Sequence, residues 1–382
     1  MRILVTGATG YVGSRLVSAL LAEGHQVTVA ARDADKVARF GWVDDVRCVV
    51  MDAGDADSVG RALTAASRKD GIDVLYYLLH GIGEPDFREA DNQAAGNVAR
   101  AAAAAGVSRI VYLGGFVPDA RNLSEHLKGR AEVAAALQVP DGPELVWLGA
   151  AMIIGAGSTS FEMMRYVADR FVALPMPGWA GNPIDPISIR DLLYYLVAAA
   201  DAEQVPAGSY DVAGPERTTY GELLQRYARI CRRPRVSLPL PGVPIGLVGR
   251  LTAAVLPLPG GLSADLVASL EYPMTTSGRR LSATVADPPG GLVAVDDALA
   301  RSVAYSAPTP VDVLGDPHRL ATTDPRWAGG DALWLRRLAG AVTPRQTRRV
   351  LGVLAAIPKP VVGAVRTGLG VLGALKPGMH AS

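Results

Sequence analysis

Met1-Arg2-Ile3-Leu4-Val5-Thr6-Gly7-Ala8-Thr9-Gly10-Tyr11-Val12-Gly13 opens the chain and decides its fold. A short apolar run ends in Gly-x-x-Gly-x-x-Gly and passes into Ser14-Arg15-Leu16-Val17-Ser18-Ala19-Leu20-Leu21, apolar at helical spacing. The stretch reads as strand, tight turn, helix. Gly7 lets the chain reverse past the strand, Gly10 lets a diphosphate approach the backbone, and Gly13 lets the helix pack close to the strand. The unpaired N–H groups and positive dipole end of that helix favour an anion, so a dinucleotide pyrophosphate is the expected guest. Gly7, Thr9, Gly10, Tyr11, Val12 and Gly13 form its cradle.

The unit then repeats. Gln26-Val27-Thr28-Val29-Ala30-Ala31 reads as a second strand ending at Arg32, a cation where an acidic residue would otherwise bind the adenosine ribose hydroxyls. Arg32, with Lys36 a turn later, points to a 2′-phosphate and to NADP in preference to NAD; a solvated arginine beside Asp33 is the plainer reading. A third strand, Val46 to Met51, runs into Asp52-Ala53, where the carboxylate could accept from an adenine amino group or cap the following helix. A fourth, Asp73 to Leu79, ends at His80. After an Ala-rich helix over 86–105, a fifth, Ser108 to Leu113, closes on Gly114-Gly115. Strands that are nearly continuous in apolar residues and alternate with helices predict an α/β fold, a Rossmann-type doubly wound parallel sheet. Gly7, Arg32, Asp52, Leu79, His80 and Gly114 lie at the carboxyl edge, where such sheets bind ligands.

These stretches resemble the extended, atypical short-chain dehydrogenase/reductases, closest to the NAD(P)H-binding branch with the NmrA-like proteins and the 39-kDa-type accessory subunit of respiratory complex I. The match rests on Gly7 to Gly13, Ala31-Arg32, Asp52-Ala53, Asp91-Asn92-Gln93-Ala94-Ala95-Gly96-Asn97 and Gly106 to Leu113. Pro186 to Leu192 and Tyr210 to Glu216 extend it. The resemblance implies a Rossmann fold and a dinucleotide site. Catalytic members of the superfamily use a Tyr, a Lys four residues later and a Ser at the end of the fifth strand. Here the strand ends in Gly114-Gly115, and Ser124-Glu125-His126-Leu127-Lys128-Gly129-Arg130 contains no tyrosine. His126 and Arg130 keep the four-residue spacing. In one reading His126 donates the proton and Arg130 holds ribose and phosphates; in the other Arg130 only anchors cofactor and His126 is structural. His80 could line the nicotinamide ribose region, cap a turn or act as an acid.

Gly149 to Ser158 resembles the loop passing the nicotinamide, and Phe161, Met163, Met164 and Tyr166 follow at helical spacing, a stripe expected to line an apolar substrate pocket. Thr219 with Glu222 forms a capping box opening a second region, which holds two Pro/Gly-rich apolar loops, Leu238 to Leu247 and Leu256 to Leu262. Those loops could be a lid, a partner surface or a membrane-dipping segment. The expected organisation is a Rossmann domain over 1–215 with a substrate-loop excursion near 155–185, a substrate or lid region over 216–303, and a helical tail over 304–382. After Asp331 no acidic residue occurs, while Arg336, Arg337, Arg345, Arg348, Arg349, Lys359, Arg366 and Lys376 remain. Residues 332–382 could therefore lie on an anionic membrane surface or pack back on the sheet.

Composition bounds the partners. A formal net charge of +1 offers no global field for nucleic acid, which disfavours that partner. Cys48 and Cys231 make neither a disulfide framework nor a metal cluster, so no metal is expected. The first residues enter a core strand directly, which suggests a cytoplasmic protein, peripheral at the inner membrane surface if the tail binds lipid. The leading functional expectation is a reductase of a hydrophobic carbonyl, enone or quinone-like substrate. The alternatives are a non-catalytic NADP(H) sensor or scaffold, favoured by the missing Ser and Tyr, and third a sugar-nucleotide epimerase.

Overall fold

The apolar runs of the first half become the parallel strands that their lack of alternation demands. In the computed structural model, β1 (Arg2–Thr6), β2 (Gln26–Ala31), β3 (Arg47–Val50), β4 (Val74–Tyr77), β5 (Arg109–Gly115), β6 (Glu144–Ala150) and β11 (Gly208–Val212) form one sheet in the order β11-β6-β5-β4-β1-β2-β3. Every pairing in it is parallel. The structure describes residues 1–68, 71–81, 87–116, 125–233, 235–240, 242–246, 256–257, 266–304, 306–342 and 363, with backbone only for 125, 126 and 338–342.

Both faces are covered, which is why strand residues of either parity are apolar. Ile3 and Val5 pack with Leu16, Val17 and Leu20 of α1 (Tyr11–Ala22) and with Leu192 and Leu196 of α7 (Ile189–Ala198). Leu4 and Leu75 pack on the other face against Val59 and Leu63 of α3 (Ala56–Ser67), Val98 of α4 (Phe87–Ala104) and Val133 of α5 (Glu125–Ala136). Between β2 and β3 lies the short helix α2 (Ala34–Val37). Because β1 sits between β2 and β4, the chain switches direction across the sheet at β1, and the crevice above the carboxyl end of β1 is the binding position of such folds.

The remaining elements build a wall beside that crevice. They include β7 (Ile153–Ile154), α6 (Thr159–Arg170), β8 (Ala173–Pro177), β9 (Pro183–Ile184), β10 (Ile187–Ser188), β12 (Thr218–Thr219), α8 (Tyr220–Ile230), β13 (Val236–Leu240) and α9 (Val295–Val303). Thr219 caps α8 as expected, accepting from the Glu222 N–H at 3.1 Å. The first Pro/Gly-rich loop begins as strand β13, paired in parallel with β8. Residues 241, 247–255 and 258–265, the rest of the two loops, lie outside the described residues.

One expectation changes, and the start of the tail follows one of its two readings. Met163 and Met164 of α6 line the cavity, but Phe161 and Tyr166 turn into the core: Phe161 packs edge-on against Tyr227 of α8, and the Tyr166 hydroxyl donates to the Trp327 carbonyl. One helix cannot show residues 161, 163, 164 and 166 on a single face, since successive residues turn by about 100°. The start of the basic tail packs back on the protein. Helix α10 (Gly330–Val342) carries Asp331, 1% exposed, onto Arg170 of α6 in a two-pronged ion pair at 2.8 Å. Of residues 343–382 only Gly363 is described, so the rest of the predicted helical tail lies outside the described residues.

The segment before α10 is laced to α1. Arg15, 2% exposed, donates to both carboxylate oxygens of Asp324 at 3.0 and 2.8 Å and to the carbonyls of Pro317 and Arg319. Its guanidinium also stacks 4.1 Å from the Tyr11 ring centre. Among the described residues no helix is long and apolar enough to cross a membrane.

Candidate dinucleotide and substrate site

The glycine turn is shaped by contacts that a side chain would destroy. Gly7 has φ +73°, and a Cβ on Gly13 would lie 2.2 Å from the Gly7 carbonyl oxygen. Gly10 is the extended N-cap of α1, so the N–H groups of Tyr11, Val12 and Gly13 open toward the crevice without partners in the helix. Thr9 is exposed on the turn. The Tyr11 hydroxyl is buried and has no hydrogen-bond partner among the described residues.

From this turn a cavity of about 560 Å³ extends across the carboxyl edge of the sheet. Its near end is lined by Gly7, Gly10, Tyr11, Val12, Gly13, His80, Gly114 and Arg130, all anticipated from sequence. Leu78 lines it, whereas Leu79, one residue on, packs into the α3–α4 layer. Its far end is apolar, walled by Met163, Met164, Val167, Phe171, Leu223, Leu240, Val267 and Met274 among others. Residues 163, 164, 167 and 171 are the helix face that the sequence does contain, at i, i+1, i+4 and i+8. Ser158, Thr159 and Ser160 add hydroxyls to the lining.

Arg32, Asp52 and Ala53 lie outside this cavity, at the ends of β2 and β3, where the adenosine half of a dinucleotide runs in this fold. Arg32 is exposed and makes no hydrogen bond or ion pair among the described residues. Its neighbour Asp33 is engaged, accepting from the Asp35 N–H at 2.9 Å as N-cap of α2. The cap of α3 is Asp55, not Asp52; the Asp52 carboxylate accepts instead from the Gly54 N–H at 3.0 Å. Asn97, 5% exposed on α4, donates to the Ala53 carbonyl at 3.1 Å and so fixes that loop. Asp91 fixes the next one: both carboxylate oxygens accept from the Gly81 N–H, at 2.8 and 3.0 Å, holding the turn that presents His80. Neither role was assigned from sequence, although both residues lie in the Asp91 to Asn97 stretch that carried the resemblance.

Arg130 is the only cation of fixed charge lining the cavity, and it makes no ion pair among the described residues. Desolvation by surrounding protein atoms, then the Arg130 charge, lowers the His80 imidazole, less so than for an enclosed group because the residue is exposed. Burial raises the Asp91 carboxyl, against the pull of the Gly81 N–H and of Arg130. Burial likewise raises Tyr77 and Tyr112, which lie edge-to-face at 6.0 Å beneath the strand ends. The Tyr112 hydroxyl donates to the Arg130 carbonyl at 3.3 Å, tying α5 to β5. His126 lies on α5, one turn before Arg130; its side chain is outside the described part.

The two strand-end glycines differ. A Cβ on Gly114 would lie 2.6 Å from Trp147 Nε1 and 3.0 Å from the Tyr112 ring. On Gly115 it would meet nothing closer than the Ala150 carbonyl at 3.7 Å and Arg130 Cγ at 3.9 Å. Indole and phenol thus fill the space at 114, and 115 is open.

A Ser–His–Asp chain lies elsewhere: Ser188 Oγ is 2.9 Å from His318 Nε2, and His318 Nδ1 is 2.7 Å from Asp316 Oδ1. The connectivity is that of a nucleophile, base and orienting acid. Yet Ser188 is 2% and His318 0% exposed, neither lines the cavity, and Ser188 is already the N-cap of α7. These residues join the 316–324 segment to the sheet. Among the described residues no group of three or more His, Cys, Asp or Glu could hold a metal ion.

A family model described as NAD(P)H-binding matches residues 7–138. A Mycobacterium tuberculosis protein is 27% identical over 248 residues, 64% of this chain but 24% of that protein, so the chain spans about a quarter of that relative's length. A Streptomyces 3-diazoavenalumate denitrifying reductase is 27% identical over 322 residues, 83% of each chain. The Arabidopsis thaliana mitochondrial NADH dehydrogenase [ubiquinone] 1 alpha subcomplex subunit 9 is 25% identical over 245 residues, 62% of this chain and 60% of that one. Among solved structures, a Staphylococcus aureus nucleoside-diphosphate-sugar epimerase superposes with a TM-score of 0.62 at 18% identity, covering 78% of this chain and all of the other. A Citrobacter triphenylmethane reductase complexed with NADP(H) gives 0.58 at 19% identity over 78% of this chain and 99% of that one. With the seven-stranded parallel sheet and the glycine turn, these matches make residues 7–138 an NAD(P)H-binding domain with a Rossmann-type fold.

Proposed function

We propose that the protein is an NADP(H)-dependent reductase of a hydrophobic carbonyl, enone or quinone-like substrate. One observation carries the reading: a single cavity joins the glycine turn, with its open helix N–H groups, to an apolar chamber large enough for a flat substrate. The residues present fit a dinucleotide, because the turn leaves no Cβ in the diphosphate's way and Arg130 is the one fixed cation in the cavity lining among the described residues. When bound, a nicotinamide cofactor supplies a hydride.

The chain's own residues do the rest. Tyr11, Val12 and Gly13 present N–H groups to the diphosphate, and Arg130 binds ribose or phosphate oxygen. Arg32 supports NADP over NAD: its guanidinium is unengaged, and the carboxylate that could serve ribose hydroxyls, Asp33, is committed to capping α2. The apolar wall excludes water from the reacting carbon. His126 is the residue we assign to deliver a proton to the substrate oxygen, since it lies one turn before Arg130 on α5 and neither strand-end glycine carries a hydroxyl. The names of the Streptomyces and Citrobacter relatives, both reductases, support the reaction class.

The strand end without a hydroxyl supports a second reading, a protein that binds NADP(H) as sensor or scaffold. Oxidation of bound NADPH, followed by absorbance over a panel of quinones and apolar enones, separates the two. Turnover that falls about 100-fold in His126→Ala supports the reductase with His126 in the proton path. Tight NADPH binding without turnover on any compound supports the sensor.

A further inference from the structure

We propose that the β8–β13 ribbon is a docking face for an anionic lipid bilayer, through which an apolar substrate passes into the cavity. The proposal rests on the reductase reading for its substrate and on separate observations for its surface. β8 and β13 pair in parallel with Ala173 opposite Val236, Pro175 opposite Leu238 and Pro177 opposite Leu240. Alternate residues of a strand share a face, so Ala173, Pro175 and Pro177 lie on the same side as Val236, Leu238 and Leu240. At one end of that face Pro175, Pro177 and Leu240 wall the cavity. At the other, Val236 is 73% and Leu238 49% exposed, and Phe171, which also lines the cavity, is 40% exposed. An apolar track therefore leads from the outer surface into the chamber.

Isolated exposed apolar side chains are ordinary on a soluble protein. Here Val236 and Leu238 of β13 and the two residues that lead into β8, Phe171 and Val172, are all exposed, and such a patch marks a partner surface. Charge identifies the partner. No aspartate or glutamate occurs between Asp169 and Asp185 or between Glu222 and Asp265, the two stretches that contain the ribbon. Asp169 itself is buried and paired with Arg233 at 3.0 Å. Arg229 and Arg232, on the approach to β13, are exposed, and their guanidinium groups make no ion pair among the described residues. Cations beside an exposed apolar ridge match the headgroups and the acyl boundary of an anionic leaflet.

The test is co-sedimentation of the full chain with phosphatidylglycerol-containing and pure phosphatidylcholine vesicles, using the double variants Val236→Glu/Leu238→Glu and Arg229→Glu/Arg232→Glu. All four side chains lie outside the cavity lining, so NADPH affinity should not change. The expected result is binding to the anionic vesicles only, reduced at least about tenfold in each double variant. Turnover of a vesicle-embedded quinone should fall in parallel, while turnover of the same quinone in detergent micelles stays at the wild-type rate. The idea is overturned if the wild-type chain ignores anionic vesicles, or if both variants bind as well as wild type. It also fails if binding is lost only on removing residues 343–382, or if the Glu variants abolish a concentration-dependent self-association instead, which would assign the ridge to a second copy. Absence of turnover in micelles as well would indict the reductase reading and leave the vesicle-binding result standing.

Discussion

Serine placed at each strand-end glycine in turn distinguishes whether that strand end is bare by packing or by opportunity. Neither Gly114 nor Gly115 has a positive φ, so backbone conformation forbids a side chain at neither position. At 114 the new Cβ would sit 2.6 Å from Trp147 Nε1 and 3.0–3.1 Å from the Tyr112 ring. Both rings are held: Tyr112 by its hydrogen bond to the Arg130 carbonyl and both by their mutual contact, centroids 6.1 Å apart. Overpacking of this kind costs about 1–3 kcal/mol, or about 1–4 °C in melting temperature for a chain of this size. At 115 the nearest atoms are at ordinary contact, and replacing a strand glycine recovers backbone entropy, so Gly115→Ser should melt within about 1 °C of wild type or above it. Calorimetry of the two variants with and without NADPH reads the difference. A Gly114→Ser variant as stable as wild type beside a destabilised Gly115→Ser would refute the account of what fills this strand end.

Arg32→Asp should weaken NADPH by about 10- to 100-fold while leaving NADH within about threefold, measured by fluorescence titration of each cofactor; equal losses would remove the 2′-phosphate assignment. Arg15→Met strands the buried Asp324 carboxylate and should cost about 3–5 kcal/mol in urea unfolding, most of it regained in Arg15→Met/Asp324→Leu. A neutral single variant would show that the pair does not tie the 316–324 segment to α1.

What was legible in the sequence is what local pattern encodes. Gly7 to Gly13 specified its own turn because three glycines, a strand and a helix adjoin within thirteen positions. The strands β1 to β6 were visible because burial on both faces of the central strands makes most of their residues apolar. Harder cases turned on parity and partners. Leu78 and Leu79 are equally apolar, and which of them faces the cavity depends on where the strand ends. Met163, Met164, Val167 and Phe171 form a true helical face, but the aromatic rings of Phe161 and Tyr166 were the more conspicuous signal. β13 was read as a loop because Pro239 and Pro241 mask a strand whose one neighbour is β8, a pairing that tolerates proline at a sheet edge. Arg15 gave no sign of Asp324, nor Ser188 of His318, since each bond spans more than a hundred residues of chain.

That last separation bears on how the protein is made. Arg15 leaves the ribosome with α1, and its carboxylate partner follows 309 residues later. At about 5–20 residues per second the interval is about 15–60 s. Throughout it, the helix that forms one wall of the dinucleotide crevice carries a guanidinium destined for burial with nothing to neutralise it. The nascent sheet therefore waits in an unfinished state, its first βαβ unit assembled but loosely held, until the 316–324 segment arrives to lock it. A chain halted before Asp324 would remain in that state, a natural client for chaperones and an easy target for proteases.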